Sequence, residues 1–439
     1  MSTITISQVH DAISACSSAA VNKGATIGVA VGAVLNNETA TACSGVCNYS
    51  TQQAVATNTI FQIGSVTKIF TSAYFGQLVS AGNFSSNQTL GSFSGGALPG
   101  LTNNSALANA TLIDVATFAV GLPSTPPAKV TGYPRPTIAE WGVADFTTWF
   151  AGLSPQNKYI YSDICTGIIG LLSTNADPTT TALPSDAVNN WLSAMEDNIL
   201  TPLGMTDTLL QGISTISPGQ QARLASGYQQ ALAYAAISNG AVSGITVINS
   251  GQAYITAPAV SIVSENGGTG ATATAAAPDK EGIYSITVTN GGSGYNNNTS
   301  VVVAPGNSSN NNIPVWAAAG GFSSTVDDLL VMVQQCLLAY NSSAKSGTLS
   351  AGLNMSMQTY GQISPNLGYG MAWEINSASS LYGPVIFKPG GLPGFSSYLC
   401  ILPQQNMGFV VLCNSRQSNP ITRPAGDIVQ SVLKSLFSA

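Results

Sequence analysis

The chain has 439 residues, of which 44% are apolar and only 7% are charged, with a formal net charge of −6. It can bury large cores and hold two or three domains. The lack of any lysine or arginine cluster argues against binding to nucleic acid or to an anionic membrane, and no run of about 18 apolar residues predicts a membrane span.

Histidine occurs once, as His10, in a polar stretch near the amino terminus. A Ser-His-Asp hydrolase and most zinc hydrolases need histidine at the site, so both classes are disfavoured. Low charge and eleven Asn-X-Ser/Thr triplets favour an extracellular, secreted protein. Glycosylation and a mere abundance of Asn, Ser and Thr explain the triplets equally well. Met1–Gln8 is polar and is no secretory signal. Cys43 and Cys47 could close a small disulfide loop.

Apolar patterning predicts the elements in chain order. Thr26–Leu35 is an apolar run typical of a buried strand. After a short entry segment at Phe61–Gly64, apolar residues recur at helical spacing from Val66 to Val79, so Ser65 stands at the amino end of a helix.

The rest of the chain predicts helices first and then strands. The later helices are predicted at Ser185–Leu200, Ser323–Leu338 and Pro424–Phe437, and the strands at Tyr369–Ile375, Val385–Lys388, Phe395–Leu402 and Met407–Cys413. Strands at both ends with helices between them predict an α/β (α+β) fold, with one antiparallel sheet built from both termini, flanking helices and a helical domain.

A change of composition predicts an inserted module. Ile245–Tyr254 (ITVINSGQAY) is similar to Ile286–Tyr295 (ITVTNGGSGY), a repeat with a period of 41 residues, among alternating apolar and small residues with Gly-Gly turns. We therefore predict a small all-β insertion at residues 240–312 between two parts of a catalytic domain, 1–239 and 313–439. A stabilising spacer and a substrate-binding module are both open interpretations.

Three S-x-x-K sequences occur, beginning at Ser65, Ser342 and Ser431. Ser342 lies in a polar loop and Ser431 in an amphipathic terminal helix, whereas Ser65 opens a helix. On a helix, residues three apart share a face, so Lys68 can reach the Ser65 hydroxyl. A capping serine with a solvated lysine is the structural alternative.

The segment that contains Ser65 and Lys68 and two further segments resemble three motifs of one superfamily. This superfamily comprises serine β-lactamases, penicillin-binding proteins and family VIII esterases, and the resemblance is greatest to its class-C-like branch. Phe61–Lys68 (FQIGSVTK) resembles F-x-I-G-S-x-x-K, Tyr161–Asp163 (YSD) resembles Y-S-N, and Lys388–Gly390 (KPG) stands where K-T-G or H-x-G is expected. Further similar segments are Val120–Pro123, Pro202–Met205, Ala319–Ser324 and Gly370–Trp373.

The resemblance implies a role for each matching residue. Ser65 is the acylated nucleophile, Lys68 and Tyr161 form its base system, and Lys388 steadies the Tyr161 oxygen and attracts a substrate carboxylate. The main-chain amides of Ser65 and Gly391 are implied as the oxyanion hole. No metal site and no cofactor are predicted.

The substrate side of the site is implied at Asp163, Gly390 and Phe118. Asp163 departs from the Asn of the motif, so its carboxylate is expected to keep Lys68 protonated, shift the work of the base to Tyr161 and repel anionic groups. The segment Phe118–Val120 stands where many relatives have a more polar segment, which predicts a more apolar acyl pocket.

These features predict a serine hydrolase that acts through an acyl-enzyme on a small-molecule ester, lactone or amide, most similar to a carboxylesterase. One alternative is a β-lactamase or D-amino-acid peptidase with the same site and a different pocket. The other is a catalytically degenerate protein that binds carbohydrate or cell envelope through the insertion. The sequence does not predict the oligomeric state.

Overall fold

The computed structural model describes residues 4–93, 104–124, 151–174, 187–210, 214–276, 282–306, 317–341, 343, 345–378, 381–416 and 423–437. Its strands are β1 (Gly28–Leu35), β2 (Glu38–Asn48), β3 (Gln53–Ala54), β4 (Phe61–Gln62), β5 (Leu209–Leu210), β6 (Leu232–Ser238), β7 (Ala241–Asn249), β8 (Val260–Val263), β9 (Thr269–Ala275), β10 (Ile286–Ser293), β11 (Ser300–Val303), β12 (Phe322–Ser324), β13 (Gly361–Ser364), β14 (Leu367–Tyr369), β15 (Glu374–Asn376), β16 (Val385–Leu392), β17 (Phe395–Leu402) and β18 (Met407–Cys413).

The described α-helices are α1 (Ile6–Asn22), α2 (Thr67–Ser80), α3 (Ser105–Ala108), α4 (Leu112–Ala116), α5 (Asp163–Thr174), α6 (Ala187–Met195), α7 (Thr201–Leu203), α8 (Pro218–Gln221), α9 (Ala317–Gly320), α10 (Val326–Asn341), α11 (Leu349–Ser356) and α12 (Pro424–Phe437). None of them is long and apolar enough to cross a membrane.

Nine strands form one antiparallel sheet that joins the two ends of the chain. Its order is β13-β14-β15-β16-β17-β18-β1-β2-β3, so the amino-terminal β1 pairs with the carboxy-terminal β18. Every residue of β1 is buried, because helices cover both faces of the sheet. The predicted sheet from both termini is therefore confirmed.

The two faces of the sheet have separate cores. Val29 and Val31 of β1 pack with α1 and α12, whereas Ala30 and Val34 point to the opposite face and pack with α2 and α10. This is the alternation that a strand imposes on its side chains. A third apolar cluster surrounds α5 and forms the helical part of the fold.

Several predicted boundaries differ from the structure. The helix predicted from Ser323 begins at Val326, because Phe322–Ser324 is strand β12, which pairs with β4 and β5. The strand predicted at Tyr369–Ile375 is divided into β14 and β15 by a turn in which Ala372 has a φ of 66°. Helix α1 has no counterpart among the predicted elements.

The inserted sheet begins before the predicted boundary. Strand β6 pairs with β7 through a two-residue turn at Asn239-Gly240, where both residues have positive φ. An Asn-Gly pair with this geometry is a tight hairpin turn and no domain linker, so the boundary at residue 240 is wrong. The hydrogen-bonded unit begins at Leu232. The predicted end, at residue 312, lies outside the described residues.

The sequence repeat corresponds to two successive units, β6-β7-β8 and β9-β10-β11, in each of which the first two strands pair as an antiparallel hairpin and the third strand pairs outside its own unit. After β7, the buried Tyr254 accepts a hydrogen bond from the amide of Ala231 at 2.8 Å. After β10, the buried Tyr295 accepts one from the amide of Ala271 at 3.1 Å. The shared tyrosines thus anchor equivalent turns, and β11 of the second unit pairs with β6 and β8 of the first.

The disulfide suggested between Cys43 and Cys47 does not form. Both residues lie in β2, and all seven cysteines are free. Four residue steps along a strand span about 13 Å, far beyond the reach of a disulfide bond.

Candidate active site

Ser65 lies in a tight turn that two strands hold in place. Strand β4 pairs with β12, and the chain then enters a 3₁₀ turn at Gly64–Val66 before α2 begins. Gly64 has a φ of 49°, a conformation that favours glycine. Ser65 therefore stands one turn ahead of the α-helix that the sequence predicted it to open.

Lys68 is fully buried in the first turn of α2 and makes three short contacts. Its Nζ lies 3.1 Å from Ser65 Oγ, 2.6 Å from Asp163 Oδ1 and 2.6 Å from the carbonyl oxygen of Ala319. An ammonium group has three donors, and here each faces an oxygen. This arrangement fits the protonated lysine.

Burial and two neighbouring groups have opposite effects on the pKa of Lys68. Burial is the largest single effect and lowers that pKa, but the charges and hydrogen bonds of Asp163 and Tyr161 together outweigh it, so the pKa of Lys68 is raised above its ordinary value of 10.5. The three oxygen contacts and the direction of this shift in pKa both favour the protonated form of Lys68.

Tyr161 is held just ahead of α5 by the residue that caps this helix. Ser162 accepts a hydrogen bond from the amide of Cys165 at 3.2 Å and donates one to the carbonyl of Pro123 at 2.7 Å. This cap fixes the backbone at the helix start. The Tyr161 hydroxyl consequently points at Ser65 Oγ, 2.6 Å away.

Phe118 supports Tyr161 from behind. Its ring is 1% exposed and meets the Tyr161 ring edge-on, with centroids 5.4 Å apart and an interplanar angle of 70°. The predicted role of Phe118 in an acyl pocket is not what this geometry provides, because its side chain is covered by its neighbours. Phe118 positions the tyrosine instead.

Lys388 approaches Tyr161 from strand β16. Its Nζ lies 4.3 Å from the centroid of the Tyr161 ring, and the Nζ of Lys68 lies 5.0 Å from the same centroid. Glu374 of the neighbouring strand β15 is 3.8 Å from Lys388 Nζ. Two ammonium groups thus flank one phenol, which stabilises negative charge that develops on it.

Gly390 and Gly391 bring strand β16 against the turn that carries Ser65. A Cβ on Gly390 would lie 2.2 Å from both the carbonyl oxygen of Ile63 and Ser397 Oγ, so a side chain is excluded there. A Cβ on Gly64 would lie 2.8 Å from the Gly391 nitrogen. The Gly391 nitrogen therefore lies against Gly64, the residue that precedes Ser65; its role in an oxyanion hole stays a prediction.

Arg416 is a site residue that the sequence analysis missed. Its guanidinium occupies the space beside Gly391, where a Cβ would come within 2.5 Å of the guanidinium carbon. Burial and the nearby Arg423 lower the pKa of Arg416. No local motif marks this arginine, because only the pairing of β16, β17 and β18 brings residue 416 next to residue 391.

These residues share one cavity of about 1030 Å³. Ser65, Tyr161 and Asp163 line it together with Lys388, Gly390, Gly391, Arg416 and Arg423. Lys68 lies buried beneath Ser65, and Phe118 lies behind Tyr161. Among the described residues, no cluster of His, Cys, Asp and Glu could hold a metal ion.

A serine assisted by lysine and tyrosine at the edge of an antiparallel sheet defines the β-lactamase-like class of serine hydrolases. The chain belongs to the Beta-lactamase family, whose model matches residues 13–434. No curated protein matches the sequence significantly.

The fold is also that of solved class C β-lactamases. A β-lactamase from Sulfitobacter sp. EE-36 has a TM-score of 0.65 and 18% identity, over 99% of this chain and 98% of its own. A class C enzyme from Rhodobacter sphaeroides has a TM-score of 0.63 and 17% identity, over 98% and 99%. A class C β-lactamase in complex with cefoxitin has a TM-score of 0.66 and 18% identity, over 99% and 100%.

Proposed function

We propose that the protein is a carboxylesterase-like serine hydrolase that cleaves small esters, lactones or amides through an acyl-enzyme on Ser65. The observation that carries the proposal is the convergence of two groups on one oxygen. Ser65 Oγ lies 2.6 Å from the Tyr161 hydroxyl and 3.1 Å from Lys68 Nζ. A capping serine needs neither contact.

The proposed acylation uses the short contact between the Tyr161 oxygen and Ser65 Oγ. The step requires Tyr161 to have given up its proton first; its oxygen then takes the Ser65 proton as Ser65 Oγ bonds to the carbonyl carbon. The amides of Ser65 and Gly391 donate to the oxyanion, and such a donor is commonly worth about 3 kcal/mol. The bond to the leaving group then breaks, and that group takes the proton from Tyr161.

Deacylation repeats the same steps with water. The oxygen of a water molecule attacks the acyl carbonyl carbon while Tyr161 takes a proton from that water. The tetrahedral intermediate then collapses by breaking the bond to Ser65 Oγ. Ser65 recovers its proton from Tyr161, and the acid product leaves. Lys68 stays protonated throughout, because Asp163 remains its partner.

A second candidate is a β-lactamase or D-amino-acid peptidase, and three cations favour it. Lys388, Arg416 and Arg423 line the cavity that contains Ser65. Arginine and lysine bind carboxylates well, and β-lactams and peptides of this kind carry one. The ion pair with Lys68 also offsets the charge of Asp163, which weakens the expected repulsion of anions.

The degenerate-binder alternative is disfavoured by the assembled site. A binding protein that had lost catalysis would not need Lys68, Tyr161 and Lys388 held around one serine hydroxyl. The extracellular location stays a prediction.

A side-by-side substrate panel tests the proposal. We would assay p-nitrophenyl esters, D-alanine amides and a chromogenic cephalosporin, and we would locate the acyl group by mass spectrometry after reaction with a fluorophosphonate. We expect labelling of Ser65 and ester turnover, both lost in Ser65→Ala and retained in the control Ser431→Ala. Labelling of another serine, or ester turnover that survives in Ser65→Ala, would show the assignment to be wrong.

A further inference from the structure

We propose that the inserted sheet, strands β6–β11, fixes the position of Arg416 in the active site and thereby sets the preference for substrates that carry an anionic group. The positioning residues are Tyr228 and Tyr254. The proposal rests on the proposed hydrolysis at Ser65, and it concerns which substrates that site selects.

Arg416 presents a positive charge to the cavity that contains Ser65. Its guanidinium carbon would be 2.5 Å from a Cβ on Gly391. Burial and Arg423 lower the pKa of Arg416, whereas Tyr161 raises it, so the guanidinium lies within electrostatic reach of the catalytic phenol. In the part of the chain that the structure describes, no ion pair includes Arg416. A guanidinium without a carboxylate partner is suited to bind one on a substrate.

The backbone of Arg416 lies beyond the end of the main sheet. Strand β18 ends at Cys413, and the amide of Arg416 donates instead to the carbonyl of Tyr228 at 3.3 Å. The carbonyl of Arg416 accepts from the amide of Gly394 at 3.3 Å, and the amide of Tyr228 donates to the carbonyl of Asn414 at 3.0 Å. The position of this arginine therefore depends on Tyr228.

The inserted sheet holds the residues that follow Tyr228. In the turn after β7, the buried Tyr254 hydroxyl accepts from the amide of Ala231 at 2.8 Å. The amide of Gln252 donates to the carbonyl of Gln229 at 2.9 Å, and Gln229 Nε2 donates to Gln252 Oε1 at 2.7 Å. The hydrogen bonds of the insertion thus begin at the residue next to Tyr228, and the inserted sheet is joined directly to the tyrosine that contacts the arginine.

Close packing makes this connection stiff. Gly251, in the same turn, has a φ of 65°. A Cβ on it would lie 2.6 Å from the nitrogen of Ala231 and 2.8 Å from the carbonyl oxygen of Gln229. Atoms packed this closely transmit a displacement instead of absorbing it. A shift of the turn therefore reaches the segment that carries Tyr228.

A displaced Arg416 changes the selection of substrates and leaves the nucleophile in place. The turn that carries Ser65 is positioned by β4, β12 and β16, which lie outside the insertion. A hydrogen bond to a charged group commonly contributes about ten- to a hundredfold to binding. Loss of the arginine is therefore expected to lower kcat/KM for an anionic ester by at least about tenfold relative to a neutral counterpart, and its displacement by a smaller factor.

Two matched ester pairs measure this preference. One is 4-nitrophenyl hydrogen adipate with its methyl ester, which differ in the charge on the acyl side. The other is 4-butyryloxybenzoate with its methyl ester, which differ in the charge on the alcohol side. The ratio of kcat/KM within a pair cancels the fraction of folded protein, so a loss of stability alone does not change it. We expect the wild type to favour the anion in at least one pair, and Arg416→Ala to reduce that ratio at least about tenfold.

The sequence repeat supplies matched variants. Tyr254→Phe/Gln252→Ala removes side-chain contacts to the segment ahead of β6. Tyr295→Phe/Ser293→Ala changes the equivalent residues of the second unit, where the Tyr295 hydroxyl accepts from the amide of Ala271 at 3.1 Å. We expect the first variant to lower the ratio at least about threefold and the second to leave it unchanged. Equal ratios in the two variants, or a ratio that is the same in Arg416→Ala and the wild type, would overturn the proposal and leave the hydrolase standing.

Calorimetry separates the proposal from catalysis. We would measure the dissociation constants of both ester pairs for Ser65→Ala, alone and combined with each double variant. Anion binding that only Tyr254→Phe/Gln252→Ala weakens supports the proposal even if no ester is hydrolysed, a result that would refute the hydrolase alone. Equal affinity for acid and methyl ester in both pairs, or equal weakening by the two double variants, refutes the positioning of Arg416 by the inserted sheet.

Discussion

The substitution Asp163→Asn tests which group accepts the Ser65 proton. Asp163 Oδ1 is 2.6 Å from Lys68 Nζ. Burial lowers the pKa of Lys68, and of the two neighbours that together raise it, Asp163 and Tyr161, Asp163 has the larger effect. Asn keeps the shape and an acceptor but removes the charge. Lys68 then loses its proton more readily and can join Tyr161 as a base.

The structure sets the size of the effect on stability. Removing one partner of a buried ion pair commonly costs about 3–5 kcal/mol. Asp163 is 31% exposed, and Asn still accepts a hydrogen bond, so we expect a smaller loss of about 1–3 kcal/mol in the free energy of unfolding at pH 7. Because the pKa of Lys68 is raised in the folded chain, this contribution is present below about pH 10.4 and is lost only as the pH rises through the higher folded value.

The assays are urea unfolding and the pH dependence of kcat/KM for a neutral nitrophenyl ester. We expect Asp163→Asn to add an ionisation below pH 10.5, the ordinary lysine value, with activity rising as Lys68 deprotonates. The control is Asp207→Asn, which breaks the two contacts of 2.6 and 2.7 Å to Arg223 outside the site. It is expected to lower stability without changing the profile. Superimposable profiles for wild type and Asp163→Asn would refute our assignment of the base.

Four further outcomes follow from the geometry. Tyr161→Phe removes the hydroxyl 2.6 Å from Ser65 and is expected to lower kcat/KM at least about a hundredfold with unchanged circular dichroism; near-normal turnover would exclude Tyr161 as the base. Gly390→Ala places a Cβ 2.2 Å from a carbonyl oxygen and a serine hydroxyl, so ester turnover is expected to fall sharply, and wild-type kinetics would contradict that packing. Burial raises the pKa of Asp328 from 3.8 to about 6, so its contribution to stability is lost as the pH rises through that range, and urea unfolding of Asp328→Asn is expected to show a weaker pH dependence between pH 4 and 6. Replacing 232–306 by a Gly/Ser linker is expected to preserve small-ester turnover; a folded variant without it would show that the insertion shapes the pocket.

Local sequence was sufficient for the parts of the site that lie close together in the chain. Ser65 and Lys68 are three residues apart at the start of one helix, and Tyr161 and Asp163 flank a capping serine. Helical spacing and capping are properties of short segments. Strands β1, β17 and β18 were also predictable, because their apolar runs are nearly continuous.

Contacts between distant segments were not predictable in the same way. Arg416 reaches Gly391 only through the pairing of three strands, and Glu374 reaches Lys388 only because β15 pairs with β16. Nothing in the sequence near either residue marks it. The boundary at residue 240 differs for another reason: the composition changes there, but the Asn-Gly pair at that point forms a hairpin turn inside the inserted sheet.

The register of the inserted sheet explains how the catalytic fold tolerates it. Val301 of β11 pairs with Ala233 of β6, so the strand that enters the insertion and the strand that ends it run side by side. Before the insertion, Tyr228 is tied to the main sheet, since its amide donates to the carbonyl of Asn414 at 3.0 Å. A unit whose two ends are adjacent can be added to a loop without moving the elements on either side. The turn that carries Ser65 therefore depends on β4, β12 and β16, which are continuous with the main fold, and we expect it to keep its geometry without the inserted strands.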